Sequence, residues 1–189
     1  LNRNWNGLVG DPVSFHGSLP EPTLQHALDA LYRRMTARHD PHAVRWGDKT
    51  PSYVRYIPEL NEIFPTAQFV HLIRDGRDAA LSARVKWGRD RWYMDTLYLL
   101  KNWARNVEAG RKAGSKLGPD RYLEIHYETL VQAPEPTVSR LCDFLGEAFH
   151  LAMLEHTRLA REKVGPGGYV GIFQPVGPSS FSPGGSERY

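Results

Sequence analysis

The feature that most constrains the fold is the junction over residues 69–82, where an apolar run meets a charged turn. The run reads FVHLI, and the next five residues, RDGRD, hold two arginines, two aspartates and a glycine. A short, nearly continuous apolar run is typical of a strand buried on both faces of a parallel sheet. The following residues AALS return to helix-forming types. We therefore expect a buried strand that delivers charged side chains to the mouth of a helix.

Helical and strand patterns alternate along the rest of the chain. The spacing of apolar residues predicts helices over 22–39, 52–64, 78–87, 91–114 and 134–146, a weaker helix over 149–162, and strands over 68–73 and 121–127. Thr23 and Thr50 are candidate N-caps, and Gly146 is a candidate helix stop. This alternation predicts an α/β fold with a mostly parallel central sheet flanked by helices. We expect a single domain over 1–189 with a flexible Gly/Pro/Ser-rich tail from residue 165.

Bulk composition excludes some classes of protein. The chain has 189 residues, 41% of them hydrophobic and 24% charged, which is ordinary for a globular domain. No apolar run approaches the ~20 residues of a membrane span, and no stretch has the pattern of a signal peptide. The single cysteine, Cys142, rules out an internal disulfide and is expected in the core. A reducing compartment, the cytoplasm, is therefore the expected location.

The charged turn has the residues of an anion site. In open α/β sheets, ligands bind beyond the carboxyl ends of the strands, where helix N-termini offer free N–H groups. Arg74 stands where the strand ends, and Ser82 follows eight residues later, about one turn into the predicted helix. A guanidinium fork and a hydroxyl suit phosphate oxygens. The residues alone leave a second interpretation open, an exposed turn whose arginines and aspartates pair with each other.

Four segments together resemble one family. FPTAQFVHLIRDGRDAALS is similar to the 3′-phosphate-binding segment of sulfotransferases that use 3′-phosphoadenosine-5′-phosphosulfate (PAPS). WGDKTPSYV resembles the lysine segment before it, the W-x-x-N helix is also shared, and RYLEIHYETL resembles a later strand. The forms RDGR and DKTP are closest to tyrosylprotein-type and bacterial members. The resemblance implies a P-loop-NTPase-like three-layer fold. It also implies a PAPS-dependent sulfotransferase that moves a sulfuryl group to an acceptor hydroxyl or amine and releases adenosine 3′,5′-bisphosphate.

The resemblance also implies roles for named residues. Arg74 and Ser82 correspond to the residues that hold the 3′-phosphate, and Tyr127 to a tyrosine on the adenine or 3′-phosphate side. Lys49 corresponds to the catalytic lysine that stabilises the bridging oxygen as the bisphosphate leaves. Arg77 is open between a phosphate contact and a partner for Asp75 or Asp78.

Two expected parts are not found in these 189 residues. One is the glycine-containing phosphosulfate loop; the glycine-rich stretches at 165–168 and 182–186 neither follow a strand nor open a helix. The other is the general base for the acceptor. Thr50 and Pro51 stand where cytosolic members carry a histidine, and His16 is the nearest substitute. His71 and His126 lie inside strands and are expected to be structural. We expect the loop and the base upstream of Leu1.

Other functions stay open from the sequence. A non-catalytic relative that binds PAPS or its product would share the same phosphate site. A nucleic-acid-binding domain is suggested by RVKWGRDRWY at 84–93, although no nucleic-acid-binding fold signature accompanies it. A nucleotide kinase is disfavoured by the absence of G-x-x-x-x-G-K-[ST]. We expect no metal, no membrane and no nucleic acid as partners, and an acceptor that is a small molecule, a carbohydrate or a peptide.

Overall fold

The computed structural model describes residues 17, 19–21, 23–38, 40–87 and 95–155. They form two compact units that divide between Tyr127 and Glu128, so the single domain stays a prediction. The first unit contains α1 (Leu24–Ala37), a 3₁₀ helix (Pro51–Arg55), α2 (Ile57–Ile63), β1 (Phe69–Ile73), α3 (Gly76–Trp87), α4 (Thr96–Leu117) and β2 (Tyr122–His126). The helix α5 (Tyr127–Gln132) spans the division, and α6 (Pro134–Leu145) and a 3₁₀ helix (Leu151–Leu154) follow it.

The two strands pair in parallel, as expected. Phe69 lies opposite Tyr122 and Ile73 lies opposite His126, so both strands end at one edge. Helix α4 packs on one face of this pair. It comes close because two of its buried residues are glycines: Gly110 lies against the His71 ring and Gly114 against the Tyr122 ring. An α/β fold with a parallel sheet flanked by helices is therefore confirmed.

The other face of β1 is more open than the sequence predicts. Val70 is 42% and Leu72 52% exposed, whereas Leu123 and Ile125 on the same face of β2 are 7% and 4% exposed. The prediction of a strand buried on both faces is wrong for β1 among the described residues. Burial of a strand depends on which elements cover it, and the apolar pattern of one strand does not contain that information.

The segment before β1 is not one helix. Tyr56, at φ −116° and ψ 17°, separates the 3₁₀ helix from α2, and Thr50 makes no side-chain cap. The break has a local cause, since Pro58 lacks the N–H that an unbroken helix would donate to Val54. The cap at Thr23 is confirmed: its hydroxyl accepts a hydrogen bond from the His26 N–H at 3.2 Å.

The later helices follow the predicted pattern with shifted ends. Helix α4 is capped by the Asp95 side chain and ends at Leu117, before Gly118 at φ 80°; residues 91–94 of its predicted start lie outside the described residues. In the second unit, α6 ends at Gly146 in the left-handed conformation, and Cys142 is buried as expected. Of the predicted helix over 149–162, the described part holds a 3₁₀ helix; 156–162 and the tail from 165 lie outside it.

Among the described segments, no helix is both long and apolar enough to cross a bilayer.

Candidate functional site

The site begins where β1 ends. Arg74 follows the last residue of β1, and its carbonyl oxygen accepts a hydrogen bond from the Trp103 indole N–H at 2.9 Å. Its side chain is 37% exposed. Its Nε atom, however, is buried and has no hydrogen-bond partner among the described residues. A buried N–H without an acceptor costs free energy, and Arg84 Nε is in the same state. What makes Arg74 a candidate to receive a ligand is its partly exposed guanidinium beside the carboxyl ends of the two strands.

Tyr127 is brought to Arg74 by the parallel pairing. Residues 73 and 126 lie opposite each other, so the next residue of each strand emerges at the same edge. The guanidinium carbon of Arg74 lies 5.0 Å from the centroid of the Tyr127 ring. This distance is typical of a cation–π contact, which orients the guanidinium plane without using its N–H donors.

Ser82 lies on the same side of α3 as a carboxylate that contacts Arg74. Asp78 Oδ2 is 3.7 Å from Arg74 Nη2, and Ser82 follows Asp78 by four residues, one helical turn on. Ser82 is exposed. Because α3 begins at Gly76 rather than at residue 78, Ser82 stands about 9 Å along the helix axis from its start, nearly two turns and not one. Arg74 and Ser82 thus flank Asp78, with no direct bond between them.

Arg77 belongs to a separate pair. Its guanidinium donates two hydrogen bonds to Asp75, at 3.1 and 2.7 Å, and its side chain is 82% exposed. The hydrogen bonds from Arg77 lower the pKa of Asp75 to about 2. Of the two interpretations of Arg77, the structure confirms the ion pair with Asp75. Both arginines of the turn thus pair with an aspartate, Arg77 with Asp75 and Arg74 more loosely with Asp78, and Arg74 also has a buried Nε without a hydrogen-bond partner.

Lys49 lies in an exposed loop between α1 and the 3₁₀ helix. The preceding residue, Asp48, accepts hydrogen bonds from the hydroxyl groups of Tyr53 at 2.7 Å and Tyr32 at 3.0 Å. The bond from Tyr53 contributes most to holding the pKa of Asp48 below its usual range. Within the described residues, no hydrogen bond or ion pair joins Lys49 to Arg74, Ser82 or Tyr127.

The strand histidines have partners on the α4 side of the sheet. His71 Nδ1 is hydrogen-bonded to the Tyr122 hydroxyl, and burial lowers the pKa of His71. His126 Nε2 lies 3.1 Å from Glu124, which also accepts two hydrogen bonds from Arg111. Both histidines thus have hydrogen-bond partners within the fold, as expected; that they have no role in the reaction stays a prediction. His16 and the two glycine-rich stretches lie outside the described residues.

Three residues that hold the candidate site residues in place were not predicted from the sequence. Asp78 contacts Arg74, Trp103 fixes the Arg74 backbone, and Asp48 holds the loop of Lys49. The i, i+4 spacing of Arg74 and Asp78 is a pattern from which their contact could be predicted, and Trp103 lies in the W-x-x-N segment. The two tyrosines on Asp48 carry no such local signal.

Across the residues that the structure describes, no three His, Cys, Asp or Glu side chains are grouped to hold a metal ion; the expectation of no metal stays a prediction.

The chain is similar in sequence to known sulfotransferases. Residues 17–150 match the model of the sulfotransferase family. The chain is 26% identical over 150 residues to protein-tyrosine sulfotransferase 2 of Gallus gallus, covering 78% of this chain and 40% of that protein. It is 28% identical over 141 residues to protein-tyrosine sulfotransferase 1 of Danio rerio, covering 74% and 39%. The chain thus spans about two fifths of the length of these curated relatives.

Two solved structures are similar in fold. The sulfotransferase domain from the curacin biosynthetic pathway has a TM-score of 0.51 and 23% identity, over 69% of this chain and 46% of that one. The sulfotransferase domain from the Synechococcus PCC 7002 olefin synthase has a TM-score of 0.50 and 27% identity, over 80% and 55%. Both confirm the predicted fold class. With the family model matched over most of the described residues, the chain belongs to the sulfotransferase family.

Proposed function

We propose that this protein transfers a sulfuryl group from PAPS to an acceptor hydroxyl and releases adenosine 3′,5′-bisphosphate. The observation that carries the proposal is Arg74: a guanidinium at the carboxyl edge of two parallel strands, seated on the Tyr127 ring, with a buried and unpartnered Nε. Phosphates and carboxylates are the anions that such a group suits. Membership of the sulfotransferase family supports the choice of donor.

The 3′-phosphate would be held by Arg74, Tyr127 and Ser82. Arg74 supplies charge-assisted hydrogen bonds, and Tyr127 orients its guanidinium. Ser82, exposed on the side of α3 that Asp78 shares, supplies a hydroxyl donor. The 3′-phosphate is the group that distinguishes PAPS from ATP and AMP, so this subsite would give the donor its selectivity.

Lys49 would act at the other end of the donor. In the reaction, the bond between sulfur and the bridging oxygen of the 5′-phosphosulfate breaks, and a bond from sulfur to the acceptor oxygen forms. By analogy with phosphoryl transfer, catalysis consists mainly of positioning and charge stabilisation. The Lys49 ammonium would stabilise the negative charge on the bridging oxygen as the bisphosphate leaves. The acceptor proton must go to a base that Lys49, Arg74, Ser82 and Tyr127 do not supply.

The acceptor is the less constrained part of the proposal. The curated relatives are named as acting on protein tyrosines, which supports a peptide tyrosine hydroxyl as the acceptor to test first. Small-molecule and carbohydrate hydroxyls are the alternatives.

We also propose that the protein works in a reducing compartment, because its single cysteine is buried and free.

The experiment follows ³⁵S from labelled PAPS onto tyrosine peptides, simple phenols and sugars, with bisphosphate release as the second readout. We expect transfer by the wild type and a loss of about 10²-fold or more in Lys49→Ala, as for other charge-stabilising groups. Lys116→Ala is the matched control. Lys116 is exposed and follows Gly114, which packs on the first residue of β2, so it lies toward the opposite edge of the sheet. Equal transfer by wild type and Lys49→Ala would contradict the role of Lys49.

A further inference from the structure

The residue before Lys49 is tied to two different elements. Asp48 Oδ2 accepts hydrogen bonds from Tyr32, on α1, and from Tyr53, in the 3₁₀ helix. Hydrogen bonds to an ionised acceptor are shorter and stronger than those between neutral groups. One carboxylate, on the residue before the candidate catalytic lysine, therefore joins α1 and the 3₁₀ helix.

A second anchor holds the same loop two residues earlier. The Trp46 ring stacks on Tyr32, with centroids 4.3 Å apart and planes 8° from parallel. Its indole N–H donates to Asp29 Oδ1 at 2.7 Å, and Asp29 in turn pairs with Arg33 on the next turn of α1. Tyr32 thus contacts both Trp46 and Asp48, so the two anchors share one residue.

The loop around Lys49 has little regular structure: besides the two anchors, Arg33 donates a hydrogen bond to the Val44 carbonyl at 3.3 Å, and the Trp46 ring contacts Phe64 edge-on. Residues 43–50 contain no helix or strand, so few backbone hydrogen bonds are available to fix the position of Lys49. Catalysis by a charged group depends on its placement within a fraction of an ångström, and a shift of 1 Å can cost about 10²-fold in rate. A flexible lysine on an unanchored loop would not meet that requirement.

We propose that Asp48, clamped by Tyr32 and Tyr53, is a positioning residue that holds Lys49 in place for sulfuryl transfer. The inference rests on the proposed function, and it assigns a role in the reaction to three residues outside the proposed 3′-phosphate subsite. It predicts that loosening the clamp slows the chemical step and leaves the binding of adenosine 3′,5′-bisphosphate intact, because Arg74 and Tyr127 are held by other contacts.

The test compares Asp48→Asn, Tyr32→Phe and Tyr53→Phe in kcat, KM for PAPS and bisphosphate Kd. We expect kcat to fall about 10- to 100-fold in Asp48→Asn and several-fold in each phenylalanine variant, because misplacing a catalytic group slows the reaction. The bisphosphate Kd should stay within about twofold of wild type. Tyr56→Phe is the matched control, since Tyr56 is an exposed tyrosine three residues from Tyr53. Unchanged kcat in folded Tyr53→Phe, or a loss of bisphosphate affinity equal to the loss of kcat, would overturn the proposal.

A second readout separates failure of the clamp from failure of the proposed function. In the wild type, NMR hydrogen exchange of the Lys49 amide should be slower than in Asp48→Asn by about tenfold, because loss of one net hydrogen bond from the clamp makes the loop open more often. Tyr56→Phe should leave it unchanged. If the wild type neither turns over PAPS nor binds bisphosphate, the proposed function fails, and this measurement still decides the clamp. Identical exchange in wild type and Asp48→Asn overturns it.

Discussion

Arg74 is held by three neighbours that each fix a different part of it. The Trp103 indole holds its carbonyl oxygen, the Tyr127 ring lies under its guanidinium, and the Asp78 carboxylate lies 3.7 Å from Nη2. The Asp78 contact is long and about two fifths exposed at both ends, so it is worth little. A phosphate that offers short hydrogen bonds can therefore displace it at small cost.

Removing the Tyr127 ring tests how much this orientation matters. In Tyr127→Leu the guanidinium loses a cation–π contact of roughly 0.5–2 kcal/mol, so bisphosphate affinity should fall about two- to thirtyfold. Tyr127→Phe keeps the ring and should stay within about twofold of wild type, apart from any hydrogen bond that its hydroxyl makes to the nucleotide. Calorimetric titration of both variants gives the comparison, and equal affinity in wild type and Tyr127→Leu would refute the orienting role.

At the scale of elements, the contact between α3 and α4 sets the position of Arg74. The first residue of α3 is Gly76, and a Cβ placed there would lie 2.7 Å from the Trp103 ring on α4. Trp103 is the residue that donates to the Arg74 carbonyl. The absence of a side chain at Gly76 thus lets the two helices approach and keeps the indole at the end of β1.

Gly76→Ala should disturb fold and site together. We expect the free energy of unfolding to fall by about 1–3 kcal/mol, the usual cost of overpacking, and bisphosphate binding to weaken. Gly47→Ala is the control, because a Cβ there meets nothing within 4 Å. Urea denaturation measures the first effect and calorimetry the second. A Gly76→Ala variant as stable as wild type would show that the Trp103 ring can move without loss.

At the scale of the whole molecule, five groups among the described residues have lowered pKa values and link stability to pH in the same direction. Burial lowers the pKa of His71. The pKa values of Asp48, Asp75 and Glu124 are lowered chiefly by hydrogen bonds from Tyr53, Arg77 and Arg111. For Asp29, burial opposes the change, but the bonds from Trp46 and Arg33 together lower its pKa. A group with a lowered folded pKa stabilises the protein above its unfolded pKa and ceases to do so as the pH falls through the folded value.

Acid should therefore destabilise the protein in two stages. The first begins below about pH 6.5, the unfolded pKa of histidine, as His71 becomes protonated on unfolding. The second begins below about pH 4, the unfolded range of the carboxyl groups. Urea midpoints measured at pH 7, 5 and 3 should fall at each interval, and His71→Gln should lack most of the first fall. A midpoint that stays constant from pH 7 to 3 would contradict these assignments.

How far the sequence predicted the structure differs from place to place. The meeting of Arg74 and Tyr127 follows from local patterns, because parallel strands that start in register end at one edge. The helix break at Tyr56 could be predicted from Pro58, which lacks a backbone N–H, although the apolar spacing alone predicts one unbroken helix. The exposure of Val70 and Leu72 and the bonds from Tyr32 and Tyr53 to Asp48 depend on which elements pack together. Tyr32 lies 16 residues from Asp48, beyond the reach of any periodicity.

The central claim, that Arg74 recognises the 3′-phosphate of the donor, is tested most directly by calorimetric titration with adenosine 3′,5′-bisphosphate and with AMP. Arg77→Ala is the matched control. Arg77 is an exposed arginine that follows Arg74 by three residues, and its ion-pair partner is Asp75. We expect the wild type and Arg77→Ala to prefer the bisphosphate. Arg74→Ala should lose roughly 1.5–3 kcal/mol of that preference, or about ten- to a hundredfold. Equal binding of both nucleotides, unaffected by Arg74→Ala, would contradict the claim.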